Sequence, residues 1–340
     1  MTSILNPTYA VTLGSQQWTE QAITIDVRLE AAPRVDSLTV RLPAAAPLSA
    51  AVGDPVELTL GSGEKEEKVF TGAISSIQRG FQEIRVTALD AGGALARFRP
   101  AATYEKVTAG TVIRNLAGDA GVDTGEIEDG VELAFYVADP SRTALEHLAR
   151  VGGWSGALVS VSADNAIEAR VIDATQAQVA LRYGRELIAF ERRQSPAAVD
   201  SFVVAGEGGA GSSSAPGALR PTTDFFAGNR PDGPSLAARW RFEPALRTAS
   251  GAATAGAALQ RAYASSRDGG WLEAFLQPDL RPGTVLEVQD PPEGLPAGPL
   301  WICRAHHRLG RRGAFTRADY CQGGDSFDPL ALLGSLGGLL

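Results

Sequence analysis

The sequence predicts a mainly β protein with an α/β middle segment, and three observations carry that reading. Side chains alternate with period 2 over the first hundred residues, apolar spacing turns helical between Thr108 and Gly153, and strand-like runs resume after Arg185. At 340 residues the chain exceeds one ordinary core, because a domain usually takes about 100–200 residues. Hydrophobic residues make up 44% and charged residues 21%, a balance that folds rather than staying disordered.

The first strands are Ala22 to Leu29 and Asp36 to Leu42, followed by Val56 to Leu60, Val69 to Ile77 and Glu83 to Ala88. Gly61-Ser62-Gly63 and Gly80 supply turns between them. Short strands at this spacing predict an antiparallel sandwich or barrel over 1–97. The pattern changes near Phe98-Arg99-Pro100. Val112, Ile113, Leu116, Ala117 and Ala120 then define a helix with Thr108 as N-cap and Gly121 as stop. A second helix is expected from Asp139 as N-cap with Pro140 at its first position, an apolar face of Leu145, Leu148 and Val151, and an end at Gly152-Gly153. Ala157 to Val161 and Ile167 to Ile172, joined through Asp164-Asn165, read as a hairpin that closes the segment 98–184.

Strands resume at Leu187 to Phe190 and Val199 to Val204, and residues 206–235 are dense in Gly, Ser and Pro, predicting a long flexible loop. Ser250 to Ser266 is Ala-rich and helical, with Gly269-Gly270 as its stop. Val285 to Val288 and Leu300 to Ala305 close the third segment, 185–325. Pro282-Gly283-Thr284-Val285-Leu286-Glu287-Val288 resembles Gly53-Asp54-Pro55-Val56-Glu57-Leu58. Two related β-barrels flanking the middle segment are the expectation.

A net charge of −8 argues against a nucleic-acid partner and against an anionic membrane, since either needs a cationic surface. The N-terminus lacks a secretory signal and no apolar run reaches membrane-spanning length, so a soluble product made in the cytoplasm is expected. Cys303, His306, His307 and Cys321 are the residue types that zinc takes, but only Cys303-x-x-His306 has a compact ligand spacing. Cys303 is instead read as a buried thiol sharing a strand face with Trp301 and Ala305. His147, beside Glu146, reads as a surface or capping residue, and no base–nucleophile pair is visible, so the chain reads as no enzyme, with no cofactor and no metal. Gly206 to Ser212 lacks the Lys and the strand-to-helix context of a phosphate loop. Glu64 to Lys68 reads as an exposed turn, or in a ring as a face toward a neighbour, and Arg304, Arg308, Arg311 and Arg312 as either a solvated hairpin tip or a contact for an acidic partner. The apolar tail 326–340 is predicted to dock on a neighbouring subunit or partner through Leu332, Leu333, Leu336, Leu339 and Leu340, with packing on its own barrel as the alternative.

Gly53 to Leu58, Phe70-Thr71-Gly72-Ala73-Ile74, Val86-Thr87-Ala88-Leu89-Asp90 and Leu95-Ala96-Arg97 resemble the first domain of phage late-control protein D and of VgrG-type baseplate hubs. Thr111 to Ala117 and Asp139 to Gly153 look like the middle helices of the same family, and Leu280 to Gly283 and Trp301 to His306 resemble its second barrel. The resemblance spans roughly residues 1–325. It implies a homotrimeric ring with two tube-like antiparallel barrels per subunit, a symmetry adaptor that joins a sixfold inner tube to a threefold central spike. The middle domain would grip the spike. The implied partners are other copies of the chain, the inner tube protein, the spike protein and other baseplate proteins, in a contractile phage tail or phage-tail-like injection particle. Unlike VgrG, the sequence stops near residue 340 without spike domains, which implies that the spike is a separate polypeptide. Two other readings share these features: a cell-wall hydrolase of a tail tip resting on Asp/Glu pairs, and a tip protein of a non-contractile tail.

Overall fold

The period-2 runs of the N-terminal third form strands in the computed structural model, which describes residues 6–63, 65–196, 201–206 and 239–322. They are β1 (Pro7–Leu13), β2 (Gln16–Trp18), β3 (Thr24–Glu30), β4 (Ser37–Pro43), β5 (Pro55–Ser62), β6 (Lys65–Arg79) and β7 (Glu83–Leu89). Alternation sets the buried face: Ile25, Val27 and Leu29 of β3 and Leu38, Val40 and Leu42 of β4 point inward. All pair antiparallel in the order β3-β4-β7-β6-β5-β1-β2. Two sequence expectations shift here. Gly61 and Ser62 belong to β5 rather than to a turn, and a Cβ at Gly61 would overlap the Thr8 hydroxyl on β1. Lys65 to Lys68, expected as an exposed turn, begin β6; their side chains are exposed, but the backbone pairs with β5.

The middle segment contains the short helix α1 (Gly92–Leu95), β8 (Ala102–Thr108), α2 (Ala109–Asp119), β9 (Thr124–Ile127), β10 (Glu132–Ala138), α3 (Ala144–Ser155), β11 (Ala157–Val161) and β12 (Ile167–Val171). Thr108 caps α2 as expected, its Oγ1 accepting from Thr111 N at 3.1 Å. The cap of α3 is not Asp139 but Thr143. Asp139 is occupied by a local turn, accepting from the backbone and hydroxyl of Ser141. Thr143 and Glu146 form a reciprocal capping box: Thr143 N donates to Glu146 Oε2 at 2.7 Å and Glu146 N to Thr143 Oγ1 at 3.3 Å. The helix also runs past Gly152-Gly153 to a left-handed Gly156 with φ of 75°. The hairpin β11–β12 turns through Asn165, whose side chain accepts from Ala91 N at 2.6 Å. His147, expected at the surface, is fully buried. Its Nε2 lies 3.0 Å from the Asp139 carbonyl and so donates, which leaves Nδ1 to accept from the Tyr136 hydroxyl at 2.6 Å.

The third segment holds β13 (Val179–Arg182), β14 (Leu187–Gln194), β15 (Phe202–Ala205), β16 (Arg239–Phe242), α4 (Ala249–Arg267), β17 (Asp268–Phe275), β18 (Val285–Gln289), β19 (Leu300–Gly310) and β20 (Gly313–Gln322). Gly269-Gly270 does not stop α4 in a loop. The helix passes directly into β17, and both glycines lie where strands press together: a Cβ at Gly270 would overlap the Glu191 carbonyl of β14 and stand 2.8 Å from Tyr320 Oη.

β14, β17, β20 and β19 pair antiparallel in that order, while β18 pairs with β19 and, in parallel, with β13. β19 then pairs with β3 over seven positions, from Arg304 opposite Glu30 to Gly310 opposite Thr24. The two flanking segments, expected as two barrels, are thus hydrogen-bonded into one thirteen-stranded sheet over a shared core. Its long path ends at β14 and β2, each with one strand neighbour among the described residues.

A second core lies between α2, α3 and the β11–β12 hairpin. It draws on both sides of positions 97 and 185: Ala91 and Leu95 enter from the first segment, and Val204, Leu246, Ala252 and Ala255 from the third. Among the described residues no helix is long and apolar enough to cross a membrane. The expected loop beyond Gly206 and the tail 326–340 lie outside the described residues.

Candidate interaction face

Where β19 joins β3, strand alternation sorts the side chains. Ala305, His307 and Leu309 of β19 are buried, while Arg304, His306 and Arg308 face outward. Asp26, Arg28 and Glu30 of β3 and Arg317 and Asp319 of β20 share that outer face. A surface cavity of about 200 Å³ opens there, lined by Arg28, Glu30, Arg304, His306, Arg317 and Asp319.

Charges on this face are paired across strands. His306 Nε2 lies 2.9 Å from Asp26 Oδ1, joining the two halves of the sheet. Burial pushes the Asp26 carboxyl up, but the close contact with His306, together with the charges of His306, Arg28 and Arg308, outweighs it and holds the group below its ordinary value. Arg304 reaches Asp319 at 2.9 Å on one side and Glu30 at 3.9 Å on the other. The Arg317 guanidinium lies 4.3 Å above the Trp271 ring. Arg304, expected at a solvated tip, is therefore part of a cross-strand network, whereas Arg311 and Arg312 do occupy the β19–β20 turn. The face is a grid of charges, several of them paired across strands.

The four residues weighed as zinc ligands do not converge. His306 points outward to Asp26, while His307 is fully buried with Nδ1 2.9 Å from Thr316 Oγ1, and burial lowers its pKa to about 3. Cys303 does not share a face with Ala305, because a bulge between Ile302 and Arg304 breaks the alternation. Trp301 and Cys303 stay on the outer side, and Cys303 Sγ meets Cys321 Sγ at 2.6 Å. Both thiols are partly exposed.

A second cluster, missed from sequence, lies where three segments meet. Asp36 just before β4 and Asp90 just after β7 are both buried, and Asp36 Oδ1 accepts from Glu30 N at 2.6 Å. Arg281 comes from between β17 and β18; its Nη2 donates to the Val161 carbonyl of β11 at 3.0 Å, and its charge draws on Asp36. Burial raises both carboxyls, Asp90 to about 7 and Asp36 well above its usual range, and the charge of Asp90 raises Asp36 further. A carboxylate breaking an apolar run, as in Ala88-Leu89-Asp90, was the available signal. Two more ion pairs cross the same junctions: Lys65 with Asp279 at 3.4 Å, and Lys68 with Asp164. The tail leucines Leu332, Leu333, Leu336, Leu339 and Leu340 lie outside the described residues.

Comparison with known proteins places this architecture. Residues 23–139 match a family described as YQBQ-like. No curated protein matches the sequence. Among solved structures, the 43 kDa tail protein of prophage MuSo2 from Shewanella oneidensis superposes with a TM-score of 0.67 at 16% identity, over 94% of this chain and 99% of that one. A tail protein from Neisseria meningitidis MC58 gives 0.71 at 12% identity, over 94% and 97%. The E. coli c3393 protein, described as a component of the type VI secretion system with structural similarity to T4 bacteriophage tail proteins gp27 and gp5, gives 0.62 at 10% identity, over 93% and 77%. This chain therefore shares its mainly β fold with solved phage tail proteins over more than nine-tenths of its length.

Proposed function

We propose that this chain is a structural component of a phage tail or phage-tail-like injection particle, and specifically a baseplate hub that, as a homotrimer, joins a sixfold inner tube to a threefold central spike. The observation that carries this reading is the β19–β3 ladder, which joins the two flanking segments into one sheet inside a single chain. In this reading the two flanking segments act as similar modules held in fixed register. Three copies arranged head to tail would offer six modules around a threefold axis, and a heterologous contact of this kind closes into a ring when its rotation permits. The strands that end the sheet path, β14 and β2, are the natural places for the next copy to pair.

The proposed work is mechanical. Ion pairs and the buried Asp36, Asp90 and Arg281 cluster hold the segments together, the middle domain grips the spike, and the tail leucines dock on a neighbouring subunit or partner. Its place would be the baseplate of the assembled particle, after synthesis in the cytoplasm. Similarity to tail proteins over more than nine-tenths of the chain supports this reading. Co-expression with candidate tube and spike proteins, followed by native mass measurement, tests it. Three copies of this chain per complex are expected; a one-to-one monomeric complex with the spike would overturn the trimeric hub.

A further inference from the structure

The two cysteines of the chain are separated by seventeen intervening residues yet meet across the β19–β20 ladder, Sγ to Sγ at 2.6 Å. The meeting is built by the backbone. Cys321 stands opposite Trp301, and the bulge that follows Ile302 turns the Cys303 side chain along the strand toward it. The pair is also reachable: both thiols are partly exposed and line a surface cavity of about 250 Å³ together with Glu191, Arg193, Gly269 and Gly270.

We propose that Cys303 and Cys321 form a redox-convertible pair, which a small-molecule disulfide such as oxidised glutathione converts into an intrachain cross-link between β19 and β20. The chemistry needs one thiolate to start and one thiol to resolve. Cys321 is the starter: the hydrogen bond from Cys303 lowers its pKa, and the Arg193 charge acts in the same direction. Its sulfur attacks one sulfur of the glutathione disulfide, that S–S bond breaks, and one glutathione thiolate leaves. Cys303 then loses its proton to solvent and attacks Cys321 Sγ in the mixed disulfide, expelling the second glutathione. Two electrons pass from the cysteines to the glutathione disulfide, and two protons end on the glutathione thiols. The cross-link would pin β19 beside the ladder that ties it to β3.

The test uses the full native chain in glutathione buffers of increasing oxidised fraction, followed by acid quench, alkylation under denaturing conditions and intact-mass measurement. The expected result is loss of both alkylatable thiols with no retained glutathione. Trypsin cuts between the cysteines at Arg304 and Arg317, so the two fragments should travel as one species until reductant is added. Cys303→Ser should stop at the mixed disulfide and keep one glutathione on Cys321. Two alkylated cysteines at the most oxidising ratio, stable glutathione on both, or cross-linking between chains would each overturn the proposal.

Discussion

His306 Nε2 on β19 and Asp26 Oδ1 on β3 stand 2.9 Å apart across the ladder that unites the two halves of the main sheet. The folded state holds Asp26 below its ordinary pKa. The resulting stabilisation is fully present above the unfolded-state value of about 3.9 and is lost as pH falls through the folded value. Asp26→Asn should therefore cost up to about 1 kcal/mol at neutral pH, the size expected for a half-exposed pair. Urea unfolding of both proteins across a pH series checks this, with the two curves converging near pH ~3. A gap of constant size down to that pH would refute the assignment.

Asp90 behaves with the opposite sign. Its folded pKa is raised to about 7 by burial, beside Asp36, with Arg281 and Glu30 as the other charged groups at that junction. A carboxyl raised on folding binds more protons in the native state, so wild-type stability should fall as pH climbs from about 4 to about 7. Asp90→Asn keeps the shape without the titration. It should flatten that decline and stand above wild type by on the order of 1–3 kcal/mol at pH 8. Thermal midpoints measured between pH 5 and 8 decide it, and parallel curves for the two proteins would exclude this source.

No release of soluble fragments is expected when the purified protein is incubated with peptidoglycan. A carboxylate-based glycosidase needs two acidic groups that reach the sugar from solvent. The carboxyl pair with raised pKa values here, Asp36 and Asp90, is buried beneath the segment junction. Fragment release above a heat-treated control would restore the tail-tip hydrolase reading.

What was legible in the sequence and what was not divides along physical lines. Strands β3, β4, β5, β6 and β7 were readable because one face of each is buried, which prints alternation into the chain. The Thr108 cap and the Asn165 hairpin are local chemistry and were equally readable. The β19–β3 ladder was not, since pairing between strands hundreds of residues apart leaves no local mark. A bulge defeated the face assignment of Cys303, because inserting one residue reverses the alternation on which that assignment rests. Competition between two acceptable N-caps decided α3: Asp139 and Thr143 are both capping residues, but only Thr143 has Glu146 three positions on.

Gly152 and Gly153, read from the sequence as one helix stop, should respond oppositely to alanine. Both lie inside α3. At Gly152 a Cβ would come within 2.5 Å of Val159 Cγ2 on β11, so the side chain's absence is what lets helix and strand approach. At Gly153 a Cβ meets nothing within 4 Å. Gly153→Ala should therefore stabilise by roughly 0.5–1 kcal/mol through helix propensity alone. Gly152→Ala gains the same propensity but forces Val159 or the hairpin to move, an overpacking cost of about 1–3 kcal/mol that leaves a net loss. Paired urea denaturation resolves the signs. Val159→Ala in the Gly152→Ala background adds a further check: relief of the clash should make the double variant more stable than the sum of the two single changes, whereas strict additivity would show that Gly152 is not held by that contact.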